Sequence, residues 1–166
     1  MKTIGYVKNR DRKTTESQPL VLYVEDNLEN QRVASLALRK KYDLEILANS
    51  RDVCEFIHKS GDRISIILMD IELQDSDLNG IELTRLLRGT LNHPSLPEYA
   101  KAIACMDVPI LFVTAFGDKY STASLLEAGG NRVIAKPVDF VELQLAMTQI
   151  RLELIKQSPL PTSLPK

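Results

Sequence analysis

Tryptophan is absent from this 166-residue chain, and cysteine and histidine appear only twice each. Cys54 and Cys105 are the only cysteines and lie far apart, with no second Cys or His pair to complete a four-ligand set. That excludes a structural zinc site and points to a reducing, cytoplasmic setting. Both cysteines read as small core residues. No motif pairs His58 or His93 with an acidic or metal-ligating partner, and both read as surface residues. An excess of one charge is also missing: 21 Lys and Arg face 22 Asp and Glu, for a net charge of -1. Sequence-independent nucleic-acid binding needs a basic surface and is not expected. No apolar run approaches the roughly 20 residues of a membrane-spanning helix. The N-terminus carries a lysine without the apolar stretch of a secretory signal. No internal repeat is visible. The 44% hydrophobic content suits one soluble domain with a real core.

What the chain does have is four short apolar runs that each stop at a polar residue. Leu20–Val24 runs into Glu25-Asp26, Ile64–Met69 into Asp70, Ile110–Val113 into Thr114, and Val133–Ala135 into Lys136-Pro137. Leu44–Ala48 reads as a further strand, second in chain order. Runs of this kind separated by helical patterns are buried parallel strands. Asn27 can cap a helix bearing Val33, Leu36 and Ala37 on one face, ending near Tyr42. Ser50 can cap the next helix and Gly61 close it. Gly80 precedes a helix that Gly89 ends; Asp118 can cap one from Lys119 to Ala128; Asp139 begins the last, through about Ile155. Residues 1–18 are polar and read as a disordered tail, and 158–166 as a Pro-rich tail or linker. Residues 19–157 are then one α/β domain: a five-stranded parallel sheet, doubly wound as (βα)5.

In such a sheet the carboxyl ends of the strands open onto the ligand crevice. Glu25, Asp26, Asp70, Thr114 and Lys136 would meet there. Three carboxylates in one place are costly unless positive charge compensates them. A lysine and a divalent cation would do so.

These residues, in this order and at these separations, resemble the receiver domain of two-component response regulators, whose fold is flavodoxin-like. The resemblance runs from about Leu20 to Ile155. It implies that Asp70 is the phosphoacceptor, that Thr114 and Lys136 contact the phosphoryl group, and that Pro137 follows a cis peptide bond. It implies a Mg²⁺ site, also open to Mn²⁺, formed by Glu25, Asp26, Asp70 and the backbone carbonyl of Glu72. A histidine kinase or phosphotransfer protein would be the donor, an unknown downstream protein the target. Catalysis would be limited to the domain's own phosphoryl transfer and dephosphorylation. Two alternatives stay open: a free-standing Mg²⁺-dependent phosphohydrolase with an aspartyl-phosphate intermediate, and a degenerate receiver used for docking.

Three departures from the family pattern stand out. The loop from Ile71 to Asn79 is long and lacks proline; its Asp75 and Asp77 read as solvated acids. From Gly89 to Val108 the chain spends about twenty residues where about 2–6 are usual. This insertion reads as a loop with one or two helical turns after Pro97, partner-facing and apart from the phosphorylation chemistry. Val133 occupies a position where many receivers carry an aromatic switch residue. In the last helix Phe140, Leu143, Met147, Ile150 and Leu154 form a stripe for the sheet. A second stripe, Val141, Leu145, Leu152 and Ile155, is either a wide buried face or a surface for a homodimer or another partner.

Overall fold

The structure, a computed structural model, describes residues 18–115 and 119–157. Its ten main elements alternate strictly. They are β1 (Leu20–Val24), α1 (Leu28–Leu38), β2 (Asp43–Leu47), α2 (Ser50–Ser60), β3 (Ile64–Met69), α3 (Gly80–Leu87), β4 (Ile110–Ala115), α4 (Thr122–Glu127), β5 (Arg132–Lys136) and α5 (Phe140–Gln157). The strands form one parallel sheet in the order β2-β1-β3-β4-β5. Their near-continuous apolar sequences are explained by helices on both faces. Leu20, Leu22 and Val24 of β1 face α2 and α3, whereas Val21 and Tyr23 face α1 and α5. Of the segments expected to be tails, 1–18 and 158–166, all but Gln18 lie outside the described residues.

Several helix boundaries and faces differ from expectation. Helix α1 turns Ala34 and Leu38 to the sheet, leaving Val33 48% and Leu36 80% exposed. The two buried positions lie four apart, one above the other on a helix, and small Ala34 lets α1 approach closely. Ala37 packs only partly against this layer. The bulkier residues are therefore on the wrong side for the expected face. Asn49, not Ser50, caps α2, accepting from the Asp52 amide at 3.0 Å. Asn79 caps α3 in a reciprocal box with Glu82. Helix α4 starts at Thr122 with Ser121 as its cap; Asp118 lies outside the described residues. Asp139 does cap α5, accepting from the amides of Val141 and Glu142.

Cys54 is buried as expected, but Cys105 is exposed. His58 is exposed and His93 half-buried. The insertion after α3 contains one 3₁₀ turn, Glu98–Ala100, directly after Pro97. Arg88 secures its far end by donating to the carbonyls of Met106 at 2.6 Å and Val108 at 2.8 Å. In α5, Leu143, Met147 and Ile150 are buried, with Phe140 and Leu154 packed beside them. Val141, Leu145, Leu152 and Ile155 are between 52% and 79% exposed. The second stripe is a surface, not an extension of the buried face.

Candidate functional site

The strand order reverses between β1 and β3, and the ligand crevice of an open α/β sheet opens at such a reversal. The ends of β1, β3, β4 and β5 bring together the residues singled out in the sequence. Lys136 Nζ lies 2.6 Å from Asp70 Oδ2 and 2.6 Å from Glu25 Oε2. Asp70 is nearly buried, and its Oδ1 accepts from the Ile71 amide at 2.7 Å. Thr114 and Lys136 line a cavity of about 280 Å³ with Asp70, and Val133 forms part of its wall. The Lys136-Pro137 peptide bond is cis.

Glu25 is completely buried and accepts four hydrogen bonds. Tyr23 Oη and Lys136 donate to Oε2; the Asn27 amide and Asn30 Nδ2 donate to Oε1. A buried carboxylate is tolerable only with such partners. Glu25 thus holds Lys136 in place as well as contributing charge. Asp26 is less enclosed, and its Oδ2 accepts from the Gln74 amide at 2.8 Å. Glu72 sends its side chain to Lys119 at 2.7 Å across the cavity mouth, where both are exposed.

The electrostatics follow burial and charge count. Burial raises the Asp70 carboxyl above its ordinary value; Lys136 works against this, while Glu25 adds to it. Burial works to lower Lys136, but the hydrogen bonds and charges of Asp70 and Glu25 outweigh it and raise the ammonium. Burial first, then Glu25, pushes the Tyr23 phenol far up, so it is a permanent donor. One ammonium faces three carboxylates, leaving a net negative site.

A cation suits that site. Glu25, Asp26 and Asp70 each present an oxygen within 4.8 Å of the others. An all-oxygen set built on carboxylates fits Mg²⁺, which keeps waters for its remaining positions. Asp26 and Asp70 have the freer oxygens; Glu25 would give up an existing hydrogen bond to coordinate directly.

A family model described as "Response regulator receiver domain" matches residues 21–148. The chain belongs to the receiver domain family of two-component signalling. Similar proteins agree. It is 32% identical over 124 residues to hybrid signal transduction histidine kinase M of Dictyostelium discoideum, covering 74% of this chain and 5% of that protein. It is 26% identical over 153 residues to the osmosensing histidine protein kinase SLN1 of Saccharomyces cerevisiae, covering 89% of this chain and 11% of that one. Among solved structures, the receiver domain of sensor histidine kinase PA1611 from Pseudomonas aeruginosa is 28% identical with a TM-score of 0.62, covering 81% of this chain and 98% of that one. That receiver holds a magnesium ion in its active site cleft. The receiver of the yeast response regulator Ssk1, solved with the phosphotransfer protein Ypd1, is 26% identical with a TM-score of 0.63, covering 83% of this chain and 92% of that one.

The receiver's own sequence hid several supporting groups. Tyr23 sits two residues before Glu25 on the same side of β1, a period-two signal that was available. Asn30 and Gln31 carry no sequence pattern that marks them, yet Asn30 Nδ2 donates to Glu25 Oε1 and Gln31 donates to the Glu25 carbonyl at 2.6 Å. The Gln74 contact with Asp26 depends on loop shape and had no sequence signal.

Proposed function

We propose that Asp70 takes a phosphoryl group from a phosphohistidine of a histidine kinase or phosphotransfer protein, in a Mg²⁺-dependent reaction. The convergence of Asp70 with Lys136, Thr114 and the two acids Glu25 and Asp26 is the observation that carries this reading. An Asp70 oxygen attacks phosphorus, the P–N bond breaks, and the electron pair leaves with the imidazole, which is reprotonated. Bound Mg²⁺ would neutralise charge on the phosphoryl oxygens, held by Asp26 and Asp70, with Glu25 and the Glu72 carbonyl contributing. Lys136 already sits on the acceptor and can pass to a phosphoryl oxygen as a compact positive charge. Thr114 supplies a hydroxyl donor. Asp26→Ala should weaken Mg²⁺ binding by more than about tenfold, since even outer partners of metal ligands are worth about 10–100-fold. Unchanged affinity in a calorimetric titration would remove Asp26 from the site.

The donor surface has a physical candidate. Helix α1 starts two residues after Asp26 and leaves Leu28 67% and Leu36 80% exposed. Exposed apolar side chains along a helix that starts at the acidic end of β1 suit a helical donor that must bring its histidine close. The chain works in the cytoplasm on this reading; no helix among the described residues is long and apolar enough to cross a membrane. Domain limits of 19–157, with tails on either side, belong to the same proposal.

Output is proposed to pass through the exposed row of α5, to a downstream protein or to a second copy of the receiver. Leu145→Glu and Leu152→Glu should then lower the apparent mass in solution of the phosphorylated form without changing its fold. A monomer at every concentration, phosphorylated or not, would leave only heterologous partners.

The reading is tested by incubating the protein with Mg²⁺ and a small phosphodonor such as acetyl phosphate. An acid-stable, base-labile adduct is expected. Steady turnover of simple phosphoesters would favour the hydrolase instead, and neither adduct nor turnover would favour the docking receiver.

A further inference from the structure

The insertion between α3 and β4 reaches the acceptor loop through one side chain. Tyr99 Oη donates to Asp77 Oδ2 at 2.9 Å and lies 2.7 Å from Ser50 Oγ. Since the Tyr99 proton goes to Asp77, the Ser50 hydroxyl donates to Tyr99. Ser50 Oγ, almost fully buried, also accepts from the Leu78 amide at 3.3 Å. Ser76 Oγ completes the cluster by accepting from the Ser50 amide at 2.9 Å and donating to the Leu78 carbonyl at 2.7 Å. The Arg51 guanidinium lies over the Tyr99 ring, 4.9 Å from its centroid. Asp77 is exposed, as expected of a loop acid, and its carboxylate is also engaged by the Tyr99 phenol. It is one end of a clamp that ties the insertion, the start of α2 and the loop after Asp70 together.

The same loop reaches the acidic site from its other end. The Gln74 amide rests on Asp26 Oδ2, and Asp75 between these anchors takes a positive φ of 52°. A non-glycine residue in that region needs support from its surroundings. We propose that Tyr99 is a positioning residue for the acceptor site: its clamp on Ser50 and Asp77 fixes the long loop so that Gln74 stays on Asp26 and the metal ligands are preorganised. The proposal rests on the phosphoacceptor reading for its purpose but not for its geometry. A loop already ordered costs less to bind a cation, because the ordering is not drawn from the binding free energy. The insertion is thereby part of how the site is set, even though none of its side chains touches the acceptor.

Tyr99→Phe keeps the ring over Arg51 and removes only the hydroxyl. Amide hydrogen exchange on the metal-free protein is the direct readout. The Gln74 and Leu78 amides should exchange about fivefold faster or more in Tyr99→Phe, the scale of one net hydrogen bond, with amides in β1 and β3 unchanged. Mg²⁺ affinity by calorimetry should fall by a similar factor. Asp77→Asn keeps an acceptor for the phenol and should behave like the unsubstituted protein, whereas Asp77→Ala should match Tyr99→Phe, and the two together should add little. Glu98→Ala, elsewhere in the insertion, should alter neither readout. Wild-type exchange at Gln74 together with wild-type Mg²⁺ affinity in Tyr99→Phe would overturn the clamp. If the unsubstituted protein bound no Mg²⁺, the metal site would fall while the exchange at Gln74 still decided the clamp.

Discussion

Replacing Lys136 with methionine should cost the protein about 3 kcal/mol of stability at neutral pH, since removing one partner of a buried ion pair leaves the other charge uncompensated. Lys136 is the cation within 2.6 Å of both Glu25 and Asp70. Glu25 is fully buried. Methionine matches the stem of lysine, so packing changes little and the deficit reports charge. The pH dependence has a definite sign. A lysine raised in the fold contributes stability that is fully present below its unfolded value and lost as pH rises through the folded value. The deficit of Lys136→Met should therefore hold across the neutral range and close in alkali as Lys136 of the original chain loses its proton. Asp70 behaves oppositely to an ordinary paired carboxylate. Its value is raised by burial, so its contribution is present in acid and is lost as pH rises through the folded value. The variant should regain stability in acid as Asp70 takes up a proton. Urea unfolding from acid to alkaline pH measures this directly. Equal stability of the two proteins at pH 7 would mean that solvent, not Lys136, compensates Glu25. Phosphorylation of the variant should also fail or slow greatly, because the charge facing the incoming phosphoryl group is gone.

The second large effect is expected at Gly80. A Cβ there would run into the backbone carbonyl oxygen of Asp70, with the Asp70 carbonyl carbon and Ile71 Cα close behind. These are backbone atoms at the end of β3 and cannot rotate away. The Gly80 amide donates to the Ile71 carbonyl at 2.9 Å, which pins the start of α3 against the acceptor strand. Gly80→Ala should destabilise by about 3 kcal/mol, the upper range for overpacking a close-packed site. The displaced atoms belong to the acceptor itself, so phosphorylation should fall more than stability alone explains. Gly61→Ala is the fitting comparison. Its Cβ would meet side-chain atoms of Ile57 and Met106 at 3.2 and 3.4 Å, which can yield. That variant should stay within about 1 kcal/mol of the original, as most surface changes do. Comparable losses in both variants would contradict the steric reading of Gly80.

The sheet and the site were legible because each strand ended in a residue of distinct chemistry. Period and burial made β1, β3, β4 and β5 visible, and the strand ends then placed Asp26, Asp70, Thr114 and Lys136 together without further information. Helix faces were less legible. In α1 the buried positions are a small alanine and a single leucine, so the large exposed residues Val33 and Leu36 carried the stronger but misleading signal. Caps were ambiguous where two polar residues adjoin, as with Asn49 and Ser50; the hydroxyl of Ser50 was instead drawn into the Tyr99 cluster. That cluster was illegible for a physical reason. It joins residues from α2, the acceptor loop and the insertion, and contacts between segments so far apart leave no local period. The insertion read as a separate excursion, and its hydrogen bonds to Ser50 and Asp77 make it a neighbour of the acceptor loop.

The most direct test of the account is the intact mass of the protein after incubation with Mg²⁺ and acetyl phosphate, compared with Asp70→Asn treated in the same way. The account predicts a mass increase of one phosphoryl group in the original chain, lost on mild base, and none in Asp70→Asn. Equal labelling of both proteins would contradict it, because the phosphoryl group would then rest on a residue other than Asp70.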